Sequence, residues 1–159
     1  MLPLIDLQSF NPVPHLVALA IAYLLAMPIG WNREREERSA GLRTFPLVAV
    51  ASCGFIQATE GLTRDSPEAM ARIIEGLITA VGFIGGGAIL RQGEAVHGTA
   101  TAASLWITCA IGMSVGIGAL DVAVMLAVTT ALTLLMLSPL KRLVAPAPSE
   151  TDAVKDKPD

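Results

Sequence analysis

Residues 121–140 read DVAVMLAVTTALTLLMLSPL, an apolar run with a single charged residue, at its first position. A bilayer hydrocarbon core about 30 Å thick needs about 20 apolar helical residues to cross it. Four more apolar stretches of similar length lie near residues 13–31, 45–62, 70–90 and 98–119. Inside lipid the backbone must satisfy its own hydrogen bonds, so each stretch is predicted to be a helix. The sequence therefore predicts an all-α, polytopic transmembrane bundle of about five spans, which occupies residues 1–145.

Composition leaves room for this one bundle and no second domain. The chain has 159 residues, of which 53% are hydrophobic, and its mean hydropathy is +0.60. That is too apolar for a soluble domain of this size. Cys53 and Cys109 fall inside predicted spans, where we expect them to be buried thiols. Residues 146–159 are polar and contain proline, so we expect a disordered tail there.

Basic residues near the span ends predict the orientation of the bundle, since they favour the cytoplasmic side. An arrangement with the N-terminus outside and the C-terminus inside places seven near-membrane Lys or Arg residues inside and two, Arg64 and Arg72, outside. The segment before the first span has no Lys or Arg, so it does not resemble a cleavable signal. We therefore expect the N-terminus outside, and the tail and the first and third connections in the cytoplasm.

The first connection carries the most distinctive charged sequence, GWNREREERSAGLRT over residues 30–44. Helical spacing would pair Arg33 with Glu37 and Glu34 with Arg38 at i,i+4. The segment is either a solvated helix extension that fixes topology, or an ion-paired cytoplasmic surface that contacts an anion or a lipid headgroup. The alternating signs argue against a purely polybasic lipid switch.

The third span contains a carboxylate on the same face as a series of small residues. Glu75, Thr79, Gly82 and Gly86 lie within about 60° of each other on a helical wheel. Gly82 and Gly86 form a GxxxG pair, which permits close helix approach, and Gly85 lies beside them. We expect this face to point into the bundle, either as a packing seam or as the lining of a polar cavity.

The fourth span carries a stripe of hydroxyl groups. Thr101, Ser104 and Thr108 share one helical face, and Gly112 and Gly116 form a second GxxxG pair. The hydroxyls either bond within their own helix or to a neighbouring one, or they form a polar track that faces the carboxylate of the third span. In the second case the candidate polar cavity is lined by Glu75, Thr79, Thr101, Ser104 and Thr108.

Patterns typical of soluble enzymes are missing from the sequence. It has no Ser/His/Asp set, zinc motif or phosphate-binding loop, so we expect no enzymatic activity, no resident metal and no cofactor. His15 and His97 lie at span ends without a third ligand in view, which favours interfacial residues over a metal site. Few basic and aromatic residues are present, so nucleic-acid binding has no support.

Three of these elements together resemble the MgtC/SapB family of bacterial inner-membrane proteins: GWNRERE with AGLRTFPLV, AVGFIGGGAIL, and GTATAASLWITCAIG. The resemblance covers roughly residues 15–120. It carries over Arg33, Glu34, Arg35, Glu36, Gly41, Arg43 and Thr44 from the first element, Gly82, Phe83, Gly85 and Gly87 from the second, and Gly98, Thr101, Ala102, Ala103 and Trp106 from the third. The candidate functional cluster is Arg33, Glu34, Arg35, Glu36, Arg43 and Thr44.

The chain departs from the family pattern in two ways. Where the pattern usually reads Gly-Leu-Thr-Thr-Ala-Ala, this chain has GTATAA at residues 98–103, which moves one hydroxyl and weakens any site assigned there. Longer relatives also carry a soluble, ACT-like C-terminal domain, which we expect this chain to lack.

The resemblance implies a regulator of other membrane proteins, such as the ATP synthase, linked to growth at low magnesium and to virulence-type stress. One alternative is a small transporter or channel for Mg²⁺ or another ion, which would make Mg²⁺ a ligand. Mg²⁺ prefers several oxygen ligands and gives up its bound waters reluctantly. Only one carboxylate, Glu75, lies clearly inside a predicted span. A second alternative is an oligomeric membrane scaffold that is built through the glycine seams. For each of these functions we expect a homo-oligomer.

Overall fold

The computed structural model describes residues 11–37, 41–92 and 95–144, and the predicted tail at 146–159 lies outside them. Within these residues the chain forms six helices and one two-stranded hairpin. In order, the elements are α1 (Pro12–Glu37), α2 (Thr44–Ala58), α3 (Glu60–Thr63), α4 (Pro67–Gly87), β1 (Leu90–Gln92), β2 (Ala95–His97), α5 (Thr99–Ile117) and α6 (Leu120–Val144). The predicted all-α helical bundle is confirmed.

Four helices of the described chain, α1, α4, α5 and α6, are long and apolar enough to cross a membrane. The predicted second span is shorter than expected, because α2 has 15 residues and ends at Ala58. At a rise of 1.5 Å per residue, α2 is about 22 Å long, which is less than the bilayer core. The chain therefore has four full-length candidate spans and a fifth, shorter apolar helix, roughly as the sequence predicted.

Helix α5 is the central element of the bundle, and it packs against α1, α2, α4 and α6. Within an 18-residue apolar stretch of each candidate span, 44% of the residues are buried in α5, against 11–22% in the other three. Leu105, Cys109 and Ile111 are among its almost fully buried side chains. They pack in one core with Ala49 of α2 and Ala26 of α1. The helices around α5 therefore bury only their inner faces and leave apolar side chains on the outside.

Two glycines bring α5 and α2 into close contact. A Cβ atom at Gly112 would overlap the backbone carbonyl of Ala49, and one at Gly116 would lie 2.8 Å from Cβ of Ile56. Since residues 112 and 116 of α5 meet residues 49 and 56 of α2 in the same order, the two helices run parallel. The N-termini of α2 and α5 therefore lie at the same end of the bundle, which we call the α1–α2 end.

The connections include one feature that the sequence analysis missed. Helix α4 was expected to continue to about residue 90, but it ends at Gly87, and an antiparallel hairpin pairs Leu90 with His97. Gly98 follows with φ +86°, a left-handed conformation that favours glycine. The hairpin therefore lies at the α1–α2 end, where α4 turns into α5.

The start of α4 is capped by a side chain. Ser66 is the N-cap residue, and its hydroxyl accepts a hydrogen bond of 3.2 Å from the Ala69 amide. Pro67 occupies the first turn, where its missing N–H has no cost. Thr44 and Asp121 lie inside the first turns of α2 and α6.

We predict that Gly112→Ala destabilises the protein by about 1–3 kcal/mol, because the added methyl group forces α5 away from the Ala49 carbonyl. The matched change Gly61→Ala in α3 should be neutral or slightly stabilising, since a Cβ there would contact nothing within 4 Å. Thermal unfolding of the two purified variants in the same detergent compares them. Equal stability of Gly112→Ala and wild type would contradict the close α2–α5 contact.

Candidate functional site at the connection of α1 and α2

The charged cluster lies at the C-terminal end of α1, beyond the length needed to cross the membrane. Helix α1 has 26 residues, or about 39 Å at 1.5 Å per residue. About 20 of these residues, from Pro12 to Trp31, are enough to cross the hydrocarbon core. The last turns of α1 therefore place Arg33 to Glu36 at the membrane surface on the α1–α2 end.

Glu34 fixes the turn that leads from α1 into α2. Its carboxylate accepts a hydrogen bond of 3.1 Å from the backbone amide of Leu42. A Cβ atom at Gly41 would overlap that carboxylate, so glycine is needed for the turn to approach α1 so closely. The sequence analysis paired Glu34 with Arg38, which lies outside the described residues. In the structure this carboxylate binds the backbone of the turn.

The other side of the turn packs on the end of α1 through apolar groups. Phe45 and Ile29 are fully buried. A Cβ atom at Gly30 would lie 3.2 Å from the Gly41 carbonyl oxygen and 3.3 Å from Cβ of Phe45. The Phe45 amide also donates to the Gly41 carbonyl at 3.2 Å. The turn is therefore held both by the Glu34 hydrogen bond and by close packing below it.

Arg33 is buried, which the sequence did not predict. The residue is 2% exposed, and its guanidinium forms an ion pair of 3.1 Å with Glu36. It also donates to the side-chain oxygen of Asn32 at 2.9 Å. The structure shows this pair with Glu36 at i+3, and the side chain of the predicted partner at i+4, Glu37, lies outside the described part of the chain. Because removing one partner of a buried charge is costly, Arg33 belongs to the folded scaffold of the cluster.

The remaining cluster residues present their polar groups to the surroundings. Arg35 and Arg43 are exposed, and Thr44 is half-buried at the start of α2. The Arg35 guanidinium lies 5.7 Å from the ring centroid of Trp31, within range of a cation–π contact. The cluster thus combines an ion pair whose arginine is buried with exposed arginines on either side of a fixed turn.

The residues of the candidate polar cavity do not lie together in the structure. Thr101, Ser104 and Thr108 are buried in α5, whereas Glu75 and Thr79 are exposed on the outer face of α4. The expectation that the Glu75 face points into the bundle is therefore wrong within this chain. The physical reason is that α4 packs on α5 through its opposite face.

The glycines of α4 likewise lie on either the buried or the exposed face of the helix. Gly85 is buried, and a Cβ atom there would lie 3.5 Å from the backbone oxygen of Ala102. A Cβ atom at Gly82 or Gly86 would meet nothing within 4 Å. A close contact of the Gly82–Gly86 pair would therefore involve a partner outside the described part of this chain.

Two of the buried hydroxyls of α5 bond to their own helix. Ser104 donates to the Ala100 carbonyl at 2.7 Å, and Thr108 donates to the Ser104 carbonyl at 2.8 Å. This agrees with the first of the two interpretations of the hydroxyl stripe. Among the residues that the structure describes, no group of three or more His, Cys, Asp or Glu side chains could hold a metal ion.

Sequence reasoning also missed Ser52 of α2, which is buried beside α5. Its hydroxyl donates to the Val48 carbonyl at 2.8 Å and lies 3.2 Å from Sγ of Cys109. The spacing of Ala49, Ser52, Cys53 and Ile56 on one helical face could have indicated its burial.

We predict that Glu34→Ala frees the turn at residues 41–43, because the Leu42 amide loses its acceptor. Hydrogen–deuterium exchange should show faster exchange at Leu42, while the exchange of α5 stays unchanged. The control is Glu60→Ala, which removes an exposed carboxylate that pairs with Arg64 at 3.0 Å in α3. Unchanged exchange at Leu42 in Glu34→Ala would contradict this account of the turn.

Comparisons with known proteins agree with the sequence resemblance. The MgtC family matches residues 19–143. Protein MgtC of Salmonella typhimurium is 40% identical over 105 residues, which are 66% of this chain and 44% of that protein. Protein MgtC of Brucella abortus is 38% identical over 110 residues, covering 69% of this chain and 45% of the relative. Protein SrpB of Synechococcus elongatus is 38% identical over 137 residues, with 79% and 74% covered.

The match to the two MgtC proteins spans less than half of their length. No solved structure matches this chain significantly. The family match runs from Leu19 in α1 to the last turn of α6. The chain is therefore a membrane protein that belongs to the MgtC family.

Proposed function

We propose that this protein is a membrane regulator without enzymatic activity, and that it acts by binding a partner through the charged cluster at the α1–α2 end. The single observation that carries the proposal is the hydrogen bond from the Leu42 amide to Glu34. It holds Arg43 on a fixed turn, although the side chain of Arg43 is exposed. An exposed arginine on an ordered turn is suited to bidentate recognition of a carboxylate or phosphate group.

Membership of the MgtC family supports a proposal for the physiological role. We propose that the protein serves adaptation to low magnesium and to virulence-type stress, with another membrane protein, such as the ATP synthase, as a partner. We also propose a location in the bacterial inner membrane, with the α1–α2 end in the cytoplasm.

A periplasm-active reporter fused after Ala145 should be silent and one fused at Ser66 should be active, and the reverse pattern would refute this orientation.

We predict that Arg43→Ala impairs growth at low magnesium in a strain that depends on this protein, at an unchanged protein level. A hydrogen bond to a charged group contributes about 1.5–3 kcal/mol, so partner affinity should fall by about tenfold or more. Stability should change little, because Arg43 is exposed.

The matched control is Arg64→Ala, which removes another exposed arginine, in the connection between α2 and α4. It should leave growth at low magnesium unchanged, while Arg43→Lys should restore only part of the activity, since lysine lacks the planar fork. The proposal is wrong if Arg43→Ala grows like wild type, or if Arg64→Ala is impaired to the same degree.

The outer face of α4 favours a second role, that of an oligomeric scaffold. Glu75 lies eight residues after Pro67, or about 12 Å into the span. A charged side chain at the centre of a transmembrane helix costs about 2.5–3.5 kcal/mol, so covering Glu75 with protein is favourable. The exposed glycines Gly82 and Gly86 would let a second copy of α4 approach closely. We propose a homo-oligomer that forms through this face.

We predict that Gly82→Leu shifts the purified protein in mild detergent from oligomer to monomer, because the side chain would separate the two α4 helices. The control is Thr129→Leu, which adds a side chain of the same size to the exposed face of α6. Light scattering coupled to size-exclusion chromatography measures the mass. A monomeric wild type, or an oligomer that persists in Gly82→Leu, would contradict the proposed interface.

A further inference from the structure

A stripe of exposed residues runs along the outer face of α4. Its members recur at alternating intervals of four and three residues, which is the spacing of side chains that meet a second helix along one seam. At about 3.6 residues per turn, they lie within roughly 80° of each other. The opposite face of α4, which includes the buried Val81 and Gly85, packs on α5. We call these residues the outer stripe: Glu68, Arg72, Glu75, Thr79, Gly82 and Gly86.

The outer stripe carries two opposite charges at membrane depth. Arg72 and Glu75 are exposed, and they follow Pro67, the first residue of α4, by five and eight residues. At a rise of 1.5 Å per residue, they lie about 7.5 and 12 Å from the start of the helix. Charged side chains inside a membrane are costly, and they usually pair with one another. Both residues therefore call for a partner of opposite charge.

The neighbouring groups of α4 do not supply this partner. Among the residues that the structure describes, neither Arg72 nor Glu75 lies within ion-pair distance of an opposite charge. The Thr79 hydroxyl, one turn further along the stripe, donates to the backbone carbonyl of Glu75 at 2.8 Å. Its proton is therefore not available to the Glu75 carboxylate.

A second copy of the chain carries the complementary charges at the right depth. Copies that insert in the same orientation have parallel α4 helices, and in a two-fold pair each surface contacts its own equivalent. Arg72 of one copy then lies only about 4.5 Å along the axis from the level of Glu75 in the other. Because helical side chains lean toward the N-terminus, the Glu75 carboxylate approaches the level of Arg72.

The deeper part of the outer stripe permits this approach. A Cβ atom at Gly82 or at Gly86 would meet nothing within 4 Å in this chain, so their surface is open to another helix. Two glycines four residues apart let helix backbones come close together in a membrane. The glycines account for the closeness of the contact, and the charges account for the choice of a second copy as the partner.

We propose that the outer stripe of α4 binds the outer stripe of a second copy in parallel, and that Arg72 of each copy forms an ion pair with Glu75 of the other. This inference rests on the homo-oligomer proposed above, and it names the charges that select the partner. The two-fold symmetry gives two such ion pairs in each contact.

Glu68 provides a matched comparison on the same stripe. It lies in the first turn of α4, where water solvates a carboxylate and the helix N-terminus favours a negative charge. Glu68 therefore has no need of a partner from a second copy. Replacing it should have little effect on the contact, although it is as close to Arg72 in sequence as Glu75 is.

A double-mutant cycle tests the ion pair. Copies labelled at the N-terminus with a donor or an acceptor dye are mixed in phospholipid vesicles, and energy transfer at increasing dilution in lipid gives the dissociation constant. Arg72→Gln and Glu75→Gln should each raise this constant about tenfold or more, because each leaves a charge unpaired. The double variant should be no weaker than the weaker single variant, since the same interaction is lost only once. Glu68→Gln should associate like wild type.

Disulfide formation tests the parallel arrangement without changing a charge. Thr79→Cys should give a covalent dimer under mild oxidation in membranes, because equal residues face each other across the contact. Thr129→Cys, on the exposed face of α6, should remain monomeric. The native Cys53 and Cys109 are buried and should not react.

The outcomes separate this inference from the homo-oligomer itself. A monomeric wild type overturns both. An oligomer that Gly82→Leu disrupts, but that Arg72→Gln and Glu75→Gln leave unchanged, overturns the ion pair alone. Additive weakening in the double variant, or equal weakening in Glu68→Gln, overturns it as well. Crosslinking of Thr79→Cys to another protein in place of a second copy would overturn the choice of partner.

Discussion

The backbone contact between α5 and α2 is the constraint on which the rest of this structure depends. Gly112 lets α5 lie directly against the Ala49 carbonyl, where any side chain would collide. Without a hydrophobic force between helices in lipid, such close packing is a main source of stability. It places α5 at the centre of the bundle, sets α2 parallel to it, and brings the start of α2 beside the start of α5. The charged turn before α2 and the hairpin before α5 consequently share one end of the bundle.

The same packing determines which polar groups remain available for function. Ser104 and Thr108 are buried in α5, and their hydroxyl protons are already donated to carbonyls of their own helix. Glu75 lies on the far side of α4 and cannot join them within the chain. At the α1–α2 end, Glu34 and Arg43 are exposed on a turn that is held by the hydrogen bond from the Leu42 amide to Glu34. This distribution supports recognition at the membrane surface more than conduction through the bundle.

The sequence predicted the features that depend on local pattern. Apolar runs of membrane length located the spans. The sequence could not show which face of α4 points inward, because Gly82, Gly85 and Gly86 are equally small. Only the contact of Gly85 with Ala102 in the folded chain identifies the inner face. The burial of Arg33 was also beyond local reasoning, since it depends on how the turn folds back on α1. The strands of the hairpin have three residues each, too few for a detectable alternation.

Magnesium flux in proteoliposomes tests most directly the claim that the protein acts by presenting a surface and does not conduct ions. The full chain is reconstituted around a trapped Mg²⁺ indicator, alongside Glu75→Gln and empty liposomes. An isolated carboxylate about 12 Å along one span does not provide a path across roughly 30 Å of hydrocarbon. We expect wild type, Glu75→Gln and empty liposomes to show the same slow leak. Flux that is well above the leak in wild type and disappears in Glu75→Gln would contradict the account and identify the protein as a transporter.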